Sequence, residues 1–266
     1  MLYKTTLKHW IGRYNRKNKG QTVGKVLLFA DEFTNYMDVE IGMKMVELLD
    51  RLGYEVVIPK HVESGRTAIS KGMLKVARKV ARKNVMLLKN IVSENVPLVG
   101  IEPSCILSFR DEYPDLVGEE LKEEAVRLGK NCLLYDEFFV REIRAGRIRA
   151  EQFTDQPLNI LLHGHCHQKS LASVEPSREM LSLPVNYKVE VIPSGCCGMA
   201  GAFGYEKKHY ELSMKIGEQV LFPAVRGVGD VCISAPGTSC RQQIKDGTGK
   251  QALHPIEVLY GALLTR

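Results

Sequence analysis

The amino-acid sequence predicts an α/β protein in which parallel β-sheets are flanked by helices. Three observations lead to this class: short apolar strand patterns alternate with helical patterns, the order of segments occurs twice along the chain, and cysteines follow strands at corresponding places. Of the 266 residues, 44% are hydrophobic and 26% are charged, which is typical of a globular protein with a packed core.

Self-comparison of the chain shows an internal repeat. Four pairs of segments align at nearly the same separation: Val26–Phe33 with Ile160–His167, Val57–Pro59 with Val191–Pro193, Glu63–Gly65 with Cys196–Gly198, and Glu102–Cys105 with Gly237–Cys240. We therefore predict two tandem, pseudo-symmetric, Rossmann-like repeats. Repeat one covers residues 22–150 and repeat two covers residues 151–266, after a basic N-terminal segment over residues 1–21. The join is expected in the polar stretch Gly146–Pro157.

Repeat one reads as alternating strands and helices. Its predicted strands are Lys25–Ala30, Tyr54–Pro59, Val96–Ile101 and Cys132–Tyr135. Asp38 can cap a helix with apolar residues at helical spacing, and Gly53 is the expected glycine at its C-terminal end. Ser70 is predicted to cap a long basic helix that runs to about Glu94, and Glu119–Leu128 is predicted to be helical.

Repeat two follows the same order. Its predicted strands are Leu158–His163, Val189–Pro193 and Asp230–Ser234. One long helix is expected over Tyr205–Phe222. His254-Pro255 is expected to open the last helix, because proline is favoured in a first turn.

Cys196 and Cys197 are adjacent and lie between Gly195 and Gly198. Neighbouring cysteines are poor disulfide partners, because a disulfide needs separated Cα atoms. The N-terminus lacks the apolar core of a signal peptide, so the seven cysteines favour metal binding or catalysis in a reducing compartment. The alternative is a glycine-rich turn with two buried, inert cysteines.

The cysteines of repeat two follow successive strands. Cys166 follows the first strand, Cys196 and Cys197 follow the second, and Cys240 follows the third. Loops beyond the carboxyl ends of parallel strands converge on one crevice. The sequence therefore predicts a site of four thiols, which is the usual number for a [4Fe–4S] cluster.

Three histidines surround Cys166. In an extended segment His163, His165 and His167 would share one face. They are either metal ligands or polar neighbours that hold the cysteines in place. A tetrahedral zinc site of cysteines and one histidine is the main chemical alternative to the cluster.

The corresponding crevice of repeat one holds acidic residues. Glu32, Glu63, Glu102 and Cys105 could bind a hard divalent cation or perform acid–base chemistry. The other interpretation is a degenerate site whose carboxylates pair with Arg66 or Arg110. Cys132 and Cys232 lie within strand patterns and are predicted to be core residues.

The net charge of +6 is concentrated in residues 4–19 and 71–89. These stretches suit an acidic partner or an anionic membrane surface, or they form solvated helix faces. No nucleic-acid motif accompanies the charge. No apolar run reaches the roughly 20 residues of a membrane span. We therefore expect a cytoplasmic protein, with peripheral association at the inner face of the membrane as an additional option.

These residues resemble the cysteine-rich CCG-domain family, which includes a subunit of heterodisulfide reductase and the iron–sulfur subunit of glycolate oxidase. Several segments are similar to the C-terminal part of FAD-linked oxidases of the D-2-hydroxy-acid type: His163–Lys169, Glu206–Lys215, Ala235–Arg241, Asp31–Tyr36 and Glu63–Arg66. Repeat one keeps only Cys105 of the family's cysteines. In repeat two, Gly237 stands where the family has a further cysteine, so the family's five-thiol set is incomplete.

The resemblance implies an iron–sulfur electron-transfer module of a flavin-dependent oxidoreductase that acts on a D-2-hydroxy acid such as lactate, glycolate or 2-hydroxyglutarate. It implies a flavoprotein partner or domain that carries FAD, and a ferredoxin-like iron–sulfur module. The chain alone would then not oxidise a hydroxy acid. The alternatives are a zinc-binding domain and a cofactor-free module that docks a flavoprotein.

Overall fold

The computed structural model describes residues 3–15, 20 and 22–264. The chain divides into two compact units, Met1–Phe138 and Phe139–Arg266. Each unit contains one parallel sheet with helices, which confirms the predicted α/β class. The pseudo-symmetric relation of the repeats and their limits at 150 and 151 stay predictions.

The first unit contains a sheet of four strands in the order β2-β1-β3-β4. Its strands are β1 Gly24–Phe29, β2 Tyr54–Val57, β3 Leu98–Gly100 and β4 Cys132–Leu134. Its helices are α1 Leu7–Ile11, α2 Glu32–Tyr36, α3 Val39–Arg51, α4 Arg66–Ser70, α5 Leu74–Leu88, α6 Pro103–Ile106, α7 Glu112–Leu116 and α8 Glu119–Gly129. Helix α9, Tyr135–Arg144, contains the boundary between the units.

The core of the first unit follows the predicted apolar periodicity. Residues 26–29 of β1 are all buried, as expected for a central parallel strand that is covered on both faces. The face of α3 that includes Met45, Leu48 and Leu49 is fully buried. Gly53 follows this helix with a φ of +95°, so the predicted terminal glycine is confirmed. Asp38 precedes the helix as predicted, but its side chain makes no capping hydrogen bond.

The structure describes part of the predicted basic N-terminal segment. Helix α1 packs against α2 and α3, and Leu7 at its start is completely buried. Residues 1, 2, 16–19 and 21 of this segment lie outside the described residues.

The second unit contains a sheet of three strands in the order β6-β5-β7. Its strands are β5 Leu158–Leu162, β6 Tyr187–Val191 and β7 Cys232–Ser234. Its helices are α10 Cys166–Leu171, α11 Glu175–Leu181, α12 Tyr210–Gln219, α13 Leu221–Arg226, α14 Thr238–Thr248 and α15 Pro255–Ala262. In both sheets the first strand of the unit lies between the second and the third.

Two helix predictions were wrong. Ser70 ends the short helix α4 and does not cap α5, because the chain turns at Gly72 with a φ of +68°. The long helix expected over Tyr205–Phe222 is divided into short 3₁₀ turns and the helices α12 and α13. His254 does cap α15 as predicted, since its imidazole accepts a hydrogen bond from the amide of Ile256.

The exposed face of helix α5 carries both lysine and apolar side chains. Lys75, Lys79 and Lys83 are exposed there, together with Leu74, which is 59% exposed. Among the described residues, no helix combines the length and the apolar character that crossing a bilayer requires. Peripheral membrane association stays a prediction.

Leu7 anchors α1, so its truncation should destabilise the first unit. We expect Leu7→Ala to lower the free energy of unfolding by about 2–5 kcal/mol, the range for removal of a buried leucine side chain. Leu74→Ala is the matched control, because Leu74 is exposed and should change stability by less than about 0.5 kcal/mol. Urea unfolding compares the two variants, and a loss in Leu7→Ala no larger than that in Leu74→Ala would contradict the anchoring role of Leu7.

Candidate metal centre

The sheet of the second unit gathers the four predicted cysteines. Cys166 is the first residue of α10, just beyond the end of β5, and Cys196 and Cys197 lie in the loop after β6. Cys240 lies in the first turn of α14, after β7. Because β6, β5 and β7 are parallel neighbours, all three connections leave the same edge of the sheet.

The four thiols form one connected group. The Cys196 thiol interacts with the thiols of Cys166 and Cys197, and the Cys197 thiol interacts in turn with that of Cys240. The sulfurs of Cys197 and Cys240 lie within 4.8 Å of each other. Cys197 and Cys240 are buried, at 4% and 1% exposure, whereas Cys166 and Cys196 are partly exposed. The site therefore has a closed inner side and a side that reaches the surface.

Interactions among the thiols shift their pKa values in opposite directions. The pKa of Cys196 is held well below that of a free thiol, chiefly because the Cys166 and Cys197 thiols donate to it. The pKa of Cys240 is lowered as well, first by the Cys197 thiol. Cys166 and Cys197 have raised pKa values as the donors of these bonds, and burial raises them further. A soft metal bound here would displace the remaining protons, because the thiolate is the ligand form.

The loop after β6 directs backbone amides at sulfur. The amide of Gly198 lies 3.2 Å from Cys196 Sγ, and the amide of Ala200 also donates to this sulfur. The amide of Met199 donates to Cys197. Gly198 and Ala200 both have positive φ values, +104° and +40°. Such hydrogen bonds stabilise thiolate charge.

Gly198 cannot carry a side chain in this loop. A Cβ atom there would lie 2.1 Å from the carbonyl oxygen of Ser213. Glycine is therefore needed here for two reasons: the backbone has a positive φ, and it lies close to α12.

His163 lies next to two of the thiols, those of Cys197 and Cys240. It is fully buried, and its Nδ1 lies 2.7 Å from Ser194 Oγ. One of its ring nitrogens, Cys197 Sγ and Cys240 Sγ all lie within 4.8 Å of one another. His163 could thus contribute a nitrogen ligand to a metal that these sulfurs hold.

His165 and His167 have different positions from those expected. Because β5 ends at Leu162, the three histidines do not share a strand face: His165 caps α10, and its Nδ1 accepts a hydrogen bond from the amide of His167. The His165 ring packs against Gly237, where a Cβ atom would lie 2.4 Å from its Cδ2. A glycine at 237 is therefore what accommodates the buried His165 ring.

Lys169 and Arg241 are site residues that the sequence reasoning missed. The Lys169 Nζ donates to the carbonyl oxygens of Ser194 and Gly195, and Arg241 donates to the two carbonyls that precede Gly237. The sequence offered one signal for them, since each follows a cysteine by one helical turn or less. Spacing in the sequence does not show which backbone carbonyls a long side chain contacts.

The acidic crevice of the first unit is filled by hydrogen bonds. Glu32 accepts hydrogen bonds from the amide and the hydroxyl of Ser64, at 2.9 and 2.7 Å, and Glu102 accepts one from the Ser104 hydroxyl at 2.9 Å. Glu63 is exposed. Among the described residues, these carboxylates and Cys105 do not form a group with donor atoms within 4.8 Å of one another.

The prediction that the carboxylates of this crevice pair with Arg66 or Arg110 was wrong. Arg66 pairs with Glu112, and Arg110 pairs with Glu137, because α7 and α9 bring these carboxylates nearer. Cys132 is fully buried as predicted, whereas Cys232 is partly exposed and is not a core residue.

Replacement of Gly198 should disrupt the cysteine loop. We expect Gly198→Ala to lower the free energy of unfolding of the metal-free protein by about 1–3 kcal/mol, because the methyl group would require strained backbone and would meet the Ser213 carbonyl. Gly195→Ala is the matched control in the same loop, where a Cβ atom meets nothing within 4 Å. Thermal unfolding measures both variants, and equal transition temperatures would contradict the prediction.

Asp31 should make stability depend on pH. It is fully buried, and its pKa is raised to about 8, chiefly by desolvation and then by the charge of Glu32. Because an unfolded aspartate has a pKa of about 3.9, the folded state binds this proton more tightly. The stabilisation is therefore complete below about pH 4 and is lost as the pH rises to about 8.

The substitution Asp31→Asn should remove this contribution. Urea unfolding between about pH 5 and 8 should show a flatter pH dependence than in the wild type, by about 1 kcal/mol or more across the range. The exposed Asp115 offers the control, since Asp115→Asn should keep the wild-type slope. An unchanged slope in Asp31→Asn would mean that Asp31 is ionised throughout.

Comparison with known proteins finds a match to one family model and to several relatives. Residues 160–245 match the CCG family, described as a cysteine-rich domain. D-2-hydroxyglutarate dehydrogenase of Escherichia coli (strain K12) is 30% identical over 243 residues, which are 91% of this chain and 23% of that protein. A subunit of the anaerobic glycerol-3-phosphate dehydrogenase of the same strain is 26% identical over 260 residues, 97% of this chain and 64% of that subunit.

A further relative has a length similar to that of this chain. Lactate utilization protein A of Bacillus subtilis (strain 168) is 27% identical over 247 residues, which are 88% of this chain and 98% of that protein. By contrast, the chain spans less than a quarter of the D-2-hydroxyglutarate dehydrogenases that it matches. The resemblance expected from the sequence is thus confirmed.

The matched range contains the four connected cysteines and the three histidines around Cys166. Within the second unit, residues 160–245 therefore match the family model of the CCG cysteine-rich domain.

Proposed function

We propose that this chain is an iron–sulfur electron-transfer module of a flavin-dependent oxidoreductase that acts on a D-2-hydroxy acid. The observation that carries the proposal is the meeting of four thiols from the connections after three different strands at one edge of a parallel sheet. Cys166, Cys196, Cys197 and Cys240 would hold the centre.

The donor set suits a [4Fe–4S] cluster. Four cysteine thiolates are the usual ligands of such a cluster, and backbone amides that donate to sulfur tune its potential. The amides of Gly198, Met199 and Ala200 already donate to two of these sulfurs. When bound, the cluster would supply one-electron transfer. The partly exposed residues Cys166 and Cys196 form the side from which electrons would enter and leave.

The partner assignment rests on the relatives. Two of them are named as dehydrogenases of D-2-hydroxyglutarate and glycerol-3-phosphate, and a third is named for lactate utilization. We infer that a flavoprotein with bound FAD oxidises the hydroxy acid, and that a ferredoxin-like module passes the electrons to the four-cysteine site. The chain spans only part of the dehydrogenases, which is consistent with a flavin site on another domain or subunit.

Zinc is the second candidate, and one observation favours it. A ring nitrogen of His163 lies within 4.8 Å of both Cys197 Sγ and Cys240 Sγ, which suits a tetrahedral site of sulfur and nitrogen ligands. Metal analysis of the purified protein separates the two candidates. Iron with acid-labile sulfide supports the cluster, and stoichiometric zinc without sulfide supports the alternative.

Serine at the paired cysteines should abolish the centre. After anaerobic reconstitution, the wild type should contain about four iron and four sulfide per chain and absorb near roughly 400 nm, as expected for a cubane cluster. Cys196→Ser and Cys197→Ser should each lose most of this iron, because three thiolates do not complete the usual set. Cys232→Ser is the matched control, since Cys232 lies on β7 outside the connected thiols.

Two outcomes would contradict the cluster. Reconstituted wild type without iron would overturn it, as would equal iron contents in Cys197→Ser and Cys232→Ser. If Cys196→Ser also left electron transfer from the reduced flavoprotein intact, the chain would be a docking module that works without a cofactor.

A further inference from the structure

Lys169 connects two of the segments that carry the cysteines. It lies on α10, three residues after Cys166, and its Nζ donates hydrogen bonds to the carbonyl oxygens of Ser194 and Gly195. These carbonyls directly precede Cys196. The lysine therefore ties the helix that begins at one cysteine to the loop that contains two others.

The loop that Lys169 holds has little other regular support. No helix or strand covers residues 192–202, all of which the structure describes, and the backbone at Gly198, Ala200 and Gly201 has positive φ values. An ammonium group that binds two successive carbonyls fixes their direction. This arrangement leaves the amides of the following residues free to donate to the sulfurs of Cys196 and Cys197.

Lys169 also contributes charge to the site. Its Nζ lies 2.8 Å from the carbonyl oxygen of Gly195, the residue directly before Cys196, so its charge acts on the thiols of the connected group. The other cationic or titratable groups nearby act differently: His163 and His165 face Cys240, and Arg241 is bound to the carbonyls before Gly237. An anionic centre with four thiolates would therefore have Lys169 as a positive neighbour, held at the start of the loop that carries Cys196 and Cys197.

We propose that Lys169 is the positioning and charge-compensating residue of the four-cysteine site. It holds the loop of Cys196 and Cys197 in the metal-binding conformation, and its charge raises the reduction potential of the bound centre. The first part requires only that the thiols bind a metal. The second part rests on the proposed iron–sulfur function.

Three variants separate charge, hydrogen bonding and general effects of substitution. Lys169→Met removes the charge and both hydrogen bonds but keeps a long side chain, whereas Lys169→Arg keeps a cation that donates hydrogen bonds. Lys250→Met is the matched control in the same unit, because Lys250 Nζ also binds a backbone carbonyl, that of Val228. Circular dichroism confirms that each variant is folded.

The first experiment measures Co²⁺ binding by the reduced, metal-free chain through thiolate-to-cobalt absorbance. We expect Lys169→Met to weaken the affinity by about tenfold or more, the usual effect of losing a group that orients metal ligands. Lys169→Arg should stay within about threefold of the wild type, and Lys250→Met should be unchanged. A Lys169→Met affinity within about twofold of the wild type would overturn the positioning role, as would an equal loss in Lys250→Met.

The second experiment measures the midpoint potential of the reconstituted protein by anaerobic spectroelectrochemistry. Loss of a positive neighbour disfavours the more negative reduced state, so Lys169→Met should shift the potential to lower values. The expected shift is about 59 mV, the one-electron equivalent of a tenfold change in equilibrium constant. An unchanged potential in Lys169→Met, or a shift of the same size in Lys250→Met, would overturn the charge role.

The two experiments also distinguish this proposal from the proposed function. If the wild type takes up no iron–sulfur cluster, the electron-transfer function fails and the charge role fails with it. The Co²⁺ titration still decides whether Lys169 positions the cysteine loop.

Discussion

The parallel pairing of β5 with both β6 and β7 is the constraint on which the site depends. Parallel neighbours place their carboxyl ends at one edge, so residues far apart in sequence meet in the following loops. Cys197 lies in the loop after β6, whereas Cys166 and Cys240 lie in the first turns of the helices that follow β5 and β7. A shift of one residue in either strand pairing would reverse the faces of the strand and separate the thiols.

Concentrating four thiols in a partly buried place creates an electrostatic problem. Burial disfavours thiolate, and neighbouring thiolates repel one another. Two kinds of group offset this cost. Amides of the loop after β6 donate to Cys196 and Cys197, and the cationic side chain of Lys169 donates to the carbonyl oxygens just before Cys196. His163 lies on the buried side, next to Cys240. The same groups that stabilise thiolates in the metal-free chain would stabilise an anionic centre.

The first unit has the same order of its first three strands, but other side chains follow those strands. Its Glu32 and Ser64 take positions after the first and second strands, and they hydrogen-bond to each other. A carboxylate paired with a hydroxyl and an amide has its hydrogen-bonding needs met within the chain, whereas clustered thiols can be satisfied only by sharing protons or by binding a metal. Buried Asp31 lies beside this pair and accepts hydrogen bonds from the amides of Phe33 and Thr34, while burial and the charge of Glu32 raise its pKa.

The sequence by itself determined the α/β class, nearly all strand positions, and the four cysteines that the structure brings together, because strand burial and the position of a residue after a strand are local properties. It did not determine the break between α12 and α13, the arginine partners in the first unit, or the different surroundings of His163, His165 and His167. It also could not identify Lys169, whose role depends on the return of a long side chain to a loop 25 residues away in sequence. Only the tertiary structure decided these features, because each depends on which loops meet at the edge of a sheet and on what their side chains contact there.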